Sequence, residues 1–154
     1  ETIASQLDQI RPEWAAQTAQ RLDATLAEME SIEQDVAAIL KPVLGTSYVA
    51  MHDAYRIFSE RFGLQIVANL TPHDDAAPSA RQVSDMRKTI GSLSSVCLLS
   101  GVGASPQLIE TVVEGYDVGV AVVDIIGVDG TASGYRDMMI TLATGIADCA
   151  KERS

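Results

Sequence analysis

Few side chains in this 154-residue chain can do more than pack. There are two histidines, His52 and His73, and two cysteines, Cys97 and Cys149, and among the carboxylates Asp124 stands at the end of an apolar run. Imidazole nitrogen and carboxylate oxygen together suit zinc, so His52 and Asp124 are candidate ligands. The competing reading is that His52 caps the following helix and Asp124 is a turn or cap residue. His73 lies beside Asp74 and Asp75, where solvated surface competes with a weak metal contact. The cysteines are open between buried thiols, a disulfide and metal ligands. Nucleophilic catalysis has little support. Ser100, Ser105 and the cysteines have no base and orienter visible in sequence, and there is no Gly-x-Ser-x-Gly elbow. The stretch Ser100-Gly101-Val102-Gly103 is too short for a phosphate loop and lacks its Lys-Ser/Thr ending. The expectation from these residues is that the chain is not an enzyme.

The elements that must position these residues follow from periodicity. Ile3, Leu7, Ile10 and Trp14 step at helical spacing, and Leu22, Leu26, Met29, Ile32, Val36, Ile39 and Val43 continue the stripe. Pro12 either opens a second helix or kinks a longer one, and Pro42 with Gly45 ends the run. The reading is a long helix over 1–46, followed by an α/β unit over 47–154. In that unit Ser47 to Met51 reads as a strand, with His52 directly after it. Tyr55, Phe58 and Phe62 line a short helix closed by Gly63. Leu64 to Leu70 is the second strand, and the polar loop holding His73 follows. Ser79 with Gln82 forms a capping box for the next helix. Val96 to Leu99 is the third strand, and Ser105-Pro106 opens a helix lined by Leu108, Ile109, Val112 and Val113. Val118 to Ile126, apolar but for Asp124, reads as a fourth strand covered on both faces. Gly127 to Gly134 is a loop before a last helix carrying Tyr135 to Cys149.

Strands alternating with helices give an α/β fold: a four-stranded, mostly parallel sheet with crossover helices, preceded by the long helix. Ligands of such sheets bind beyond the carboxyl ends of the strands, where His52, His73 and Asp124 fall. With one strand between theirs, His52 and Asp124 stand about 10 Å apart at the backbone, and both side chains can reach one ion.

Composition sets outer bounds. The net charge of −10 and pI of about 4.4 disfavour nucleic acid and anionic membrane surfaces as partners. No apolar run approaches the roughly 20 residues of a membrane span. The chain opens on Glu1 and not Met, and is read as a processed or excised piece.

The segment from His52 to Leu64, His-Asp-Ala-Tyr-Arg-Ile-Phe-Ser-Glu-Arg-Phe-Gly-Leu, closely resembles the HDAYxYFxxxFGL motif of zinc-specific solute-binding proteins of metal ABC importers, the ZnuA type. Ala77-Pro78-Ser79-Ala80 is similar to the family's EPSA, Ser105-Pro106-Gln107-Leu108 to SPxL, Val123-Asp124-Ile125-Ile126-Gly127 to LDPLG, and the segment ending at Cys149 to xLADC. The resemblance spans essentially the whole chain. It implies two α/β lobes joined by a rigid helix with the metal between them, of which this chain carries the C-terminal lobe and the helix, the N-terminal lobe and its two histidines being absent. It assigns His52 and Asp124 as the lobe's ligands and periplasmic zinc as the cargo, for delivery to an ABC permease. Relatives that favour manganese carry Glu at the first position, which tilts the reading from manganese to zinc. It also implies a Cys97–Cys149 disulfide, suited to an oxidising compartment. Two departures fall near the expected pocket: Gly101-Val102-Gly103-Ala104 replaces EPQF, and Ile125 replaces the proline of DPLG. Two protein ligands plus water make an open, weak site, so zinc can be absent from the lobe alone. Two other readings compete. One is an interaction module that homodimerises through the apolar stripe of the long helix. The other is an α/β enzyme using the Cys97 thiol, which requires that thiol to be free.

Overall fold

The computed structural model describes residues 2–73, 77–125 and 132–152. They fall into two compact units, Glu1–Asp35 and Val36–Ser154.

In the first unit, helix α1 covers Thr2–Ile10, a single 3-10 turn follows at Pro12–Trp14, and helix α2 begins at Ala15 and ends at Leu40, within the second unit. The helical run therefore breaks at Arg11, whose φ of −138° and ψ of 74° are not helical. A residue before proline is pushed out of the α region by the pyrrolidine ring, and Pro12 has no N–H to continue the ladder. The Arg11 guanidinium lies 5.0 Å from the Trp14 ring centroid and pairs with Glu13. No residue of α1 is buried; Ile3 and Ile10 are 75% and 72% exposed.

In the second unit, α2 gives way to a 3-10 turn at Lys41–Val43, with proline in its first positions, short of the expected helix end. Four strands follow among the described residues: β1 Ser47–His52, β2 Gln65–Thr71, β3 Val96–Gly101 and β4 Gly119–Val123. They form one sheet in the order β2-β1-β3-β4, every pairing parallel. Helix α3, Arg56–Phe62, links β1 to β2 and closes on Gly63, whose φ of 75° is the left-handed conformation glycine adopts without a Cβ penalty. Helix α4, Ala80–Gly91, opens on the expected capping box of Ser79 and Gln82. Helix α5, Pro106–Val113, is capped by Ser105 with proline in its first turn. Helix α6, Ala132–Lys151, begins inside the stretch expected to be loop; residues 126–131, including the strand end expected at Ile126 and most of that loop, lie outside the described residues.

Alternation along the strands sorts the core onto two faces. Val49, Met51, Leu70, Val96, Leu98 and Val118 meet Met86 and Ile90 of α4 and Val112 of α5. Tyr48, Ala50, Cys97 and Leu99 are fully buried on the opposite face, where α6 packs on β3 and β4. There Cys97 and Cys149 form a disulfide with Cα atoms 6.1 Å apart, closing a separation of 52 residues and leaving no free thiol. On the chain-entropy account such a link contributes about 4 kcal/mol. Beside it stands Gly119, the register partner of Cys97. A Cβ there would lie 2.7 Å from the Cys149 sulfur and 3.0 Å from that of Cys97.

The fourth strand differs from expectation. It is an edge strand with alternating burial, and Val120 and Val122 are 40% and 58% exposed on the α4/α5 face. A run apolar but for Asp124 therefore did not mark a strand covered on both faces; α6 covers only one. Strand β2 carries a bulge: Ile66 pairs with Tyr48 and Ala68 with Val49, leaving Val67 as the extra residue.

Candidate metal site

All four strands are parallel, so their carboxyl ends share one edge of the sheet. His52 is the last residue of β1 and Asp124 follows β4 directly, with β3 between the two strands. This is the arrangement that sets the two backbones about 10 Å apart. Both residues are half-buried. His52 does not cap the next helix: the N-cap of α3 is Tyr55, with no side-chain cap bond. The His52 carbonyl instead accepts the Ala54 N–H at 2.9 Å, and its ring lies 6.3 Å from that of buried Tyr55, tilted by 40°.

The neighbours of His52 on the edge are Thr71 on one side and Gly101 on the other. Thr71 is its register partner and is buried. The Thr71 hydroxyl lies 3.1 Å from the Met51 carbonyl and 2.9 Å from the His73 carbonyl, joining the end of β1 to the loop after β2. That bond holds His73 by its backbone, while its side chain is exposed. On the other side, Ala50 pairs with Leu99 and Gly101 with Val123, so the register carries His52, Gly101 and Val123 into one row. Among the described residues, a Cβ on Gly101 would have one neighbour within 4 Å, His52 Cε1 at 4.0 Å. Strand order thus brings His52 and the Asp124 position to flank Gly101, with His73 set off beyond Thr71.

Sequence reasoning set Thr71 in the loop after the second strand, with nothing to mark its contact with Met51 20 residues away. It placed Gly101 near the expected pocket through the family resemblance, without its register beside His52. Among the described residues no group of three or more His, Cys, Asp or Glu side chains could hold a metal. No helix among them is long and apolar enough to cross a membrane.

A parallel α/β sheet with ligand-type residues at its carboxyl edge, preceded by a long helix, is the architecture of a solute-binding-protein lobe. The solved structures most similar in shape include one described as the crystal structure of ZnuA (TM-score 0.78, 21% identity, 97% of this chain and 56% of that one). Another is the periplasmic zinc-binding protein TroA from Treponema pallidum (TM-score 0.77, 18% identity, 97% and 58%). At such identities they establish the fold alone. The family described as zinc-uptake complex component A, periplasmic, matches residues 1–149, and the chain belongs to this ZnuA family. A high-affinity zinc uptake system protein ZnuA from Brucella abortus is 33% identical over 150 residues, covering 96% of this chain and 45% of the relative. The one from Paracoccus denitrificans is 28% identical over the same length, with 96% and 46% covered. The chain thus spans about half the length of the curated relatives it matches.

Proposed function

We propose that this chain supplies one half of a zinc site in a periplasmic solute-binding protein that passes its ion to the permease of an ABC importer. His52 provides an imidazole nitrogen and Asp124 a carboxylate oxygen, and a second lobe provides the remaining ligands. The observation that carries the reading is the placement of these two residues at one sheet edge with a single intervening strand, in a member of a family whose relatives are named for zinc uptake. Zinc is favoured over manganese because imidazole is a softer donor than carboxylate. Two protein ligands leave the other positions of a four-coordinate ion to water, so binding by this chain alone is weak. His73 contributes at most an outer contact from its exposed loop. Calorimetric titration of zinc into the chain and into His52→Ala tests this: binding should be weak and lost in the variant. Sub-micromolar zinc binding by the variant overturns the assignment.

Homodimerisation through the exposed Ile3, Leu7, Ile10 and Trp14 is the weaker reading, since the family match runs through that stripe. A monomer by light scattering at high concentration removes it.

A further inference from the structure

We propose that Thr71 is a positioning residue of this edge: its hydroxyl ties the peptide that precedes His52 to the carbonyl of His73 and so fixes the backbone from which the imidazole projects. This rests on the zinc-site reading above and deepens it.

Three polar side chains are buried among the described residues: Ser59, Thr71 and Ser100. A buried hydroxyl must find a partner, since leaving it unpaired is costly. Ser59 finds one inside its own helix, on the Arg56 carbonyl, and Ser100 on the carbonyl of the next residue, Gly101. Of the three, Thr71 is the one that reaches a remote segment. The Met51 carbonyl, 20 residues back along the chain, lies 3.1 Å from its hydroxyl, and the His73 carbonyl lies 2.9 Å away. Valine has nearly the same shape and shares the preference of threonine for strands, so packing and pairing do not call for the hydroxyl. What the hydroxyl adds is a link, and the two segments it links carry both histidines of the chain.

The link acts on His52 through its backbone. The Met51 carbonyl and the His52 N–H belong to one planar peptide unit, so holding the carbonyl holds the plane. The next plane is held as well, because the His52 carbonyl accepts the Ala54 N–H at 2.9 Å. With the planes on both sides fixed, the Cα–Cβ direction of His52 is fixed too. The strand end from which the hydroxyl reaches is itself steadied: Thr71 is the register partner of His52, and Gln82 on α4 donates to the Leu70 carbonyl at 3.2 Å. A hydroxyl has one proton to give, so Thr71 shares it between the two carbonyls, and the position of the loop after β2 sets how much of it reaches Met51. A ligand held in advance loses less conformational freedom when an ion binds.

The test uses the full 154-residue chain and zinc alone, followed through the imidazole nitrogen resonances of His52. Losing a partner that orients a metal ligand costs about 10–100-fold in affinity, and a hold on the backbone falls at the lower end, so Thr71→Val should raise the zinc dissociation constant about ten-fold. Thr71→Ser restores the hydroxyl without the methyl and should stay within about two-fold of the parent. In the metal-free chain, solvent exchange of the Ala54 amide should quicken in Thr71→Val and return to the parent rate in Thr71→Ser. Gly119→Ala, at the opposite end of β4, lowers stability away from His52 and should leave the dissociation constant unchanged. The proposal is overturned if Thr71→Val keeps the parent's Ala54 exchange rate, or binds zinc within about two-fold of the parent while His52→Ala abolishes binding. It is also overturned if Thr71→Ser binds as weakly as Thr71→Val, or if Gly119→Ala weakens binding as much as Thr71→Val does. If His52→Ala leaves zinc binding unchanged, the zinc-site reading fails and this inference with it. Should Thr71→Val not fold, Thr71→Ala takes its place beside Thr71→Ser, and an equal dissociation constant in those two overturns the proposal.

Discussion

Gly119→Ala is a one-methyl change with a cost that can be worked out in advance. The residue sits on β4 opposite Cys97, with the disulfide against it. The new Cβ would stand 2.7 Å from the Cys149 sulfur, 3.0 Å from the Cys97 sulfur and 3.2 Å from the Cys149 carbonyl oxygen. None of these is the free end of a flexible side chain: two atoms are cross-linked to each other and the third belongs to helix backbone. Overpacking costs about 1–3 kcal/mol where neighbours can yield, and rigid neighbours place this case near about 3 kcal/mol. For a unit of roughly 120 residues the unfolding entropy converts that to a midpoint about 12 °C lower. The sharper measurement is a double-mutant cycle by thermal and urea unfolding. Removing both sulfurs with Cys97→Ala and Cys149→Ala lowers stability by about 4 kcal/mol. In that background Gly119→Ala keeps the carbonyl contact and loses both sulfur contacts, so its own cost should fall to about 1 kcal/mol, a coupling of about 2 kcal/mol. An equal penalty in both backgrounds, or less than about 0.5 kcal/mol in the parent, refutes the reasoning.

Two further outcomes follow from side chains distant from the metal edge. Arg87 on α4 donates to the carbonyls of Thr111, Val112 and Glu114 at the end of α5, and its guanidinium lies 5.3 Å from the Tyr116 ring centroid. Arg87→Ala strips partners from these terminal carbonyls and should cost about 1–2 kcal/mol in urea unfolding, with Arg87→Lys recovering only part because a single ammonium cannot span them. Burial pushes the Tyr48 hydroxyl up to about 12 from its ordinary 10.0, against the opposing hydrogen bond with Thr46. Its folded value is raised, so stability is full below pH 10, declines as pH rises through about 12, and loses about 2–3 kcal/mol in total. Tyr48→Phe should flatten that alkaline decline, and a stability–pH curve unchanged by the substitution contradicts it.

Local signals were the legible part of this fold. The Ser79–Gln82 box, the Ser105-Pro106 cap and the closure at Gly63 each depend on residues within one or two turns, and each appears where expected. The alternation of strands and helices carried the α/β class for the same reason. Cover was not legible. Val118 to Ile126 is as apolar as a central strand, but a strand's place at the edge is decided by which other strands pair with it. The break at Arg11 was half visible, since proline announces a disruption without choosing between a kink and a new start. Of the site, His52 and Asp124 were named from residue type and position after strands. The places of Gly101 and Thr71 beside His52 were not legible, because they lie in the register between strands. The hold of Arg87 on α5, across 24 residues and more, left no trace in spacing.

Val67 makes β2 one residue longer than its partner needs, and that surplus acts as a phase setting. Counting from Ser47 opposite Gln65, an even pairing would bring Leu70 level with His52. The bulge delivers Thr71 there instead, with its hydroxyl within reach of Met51. It also keeps Leu70 on the α4 face. Side chains alternate with a period of two, so pairing β2 evenly with all its residues kept would turn Leu70 away from the core and withdraw Thr71 from the end of β1. Deleting Val67 itself would leave Ala68 opposite Val49 and Thr71 opposite His52, so β2 can lose this residue without a change of register, but not one from Ala68 onward. A homologue aligned with a gap at Val67 has lost the bulge and kept the edge that holds His52.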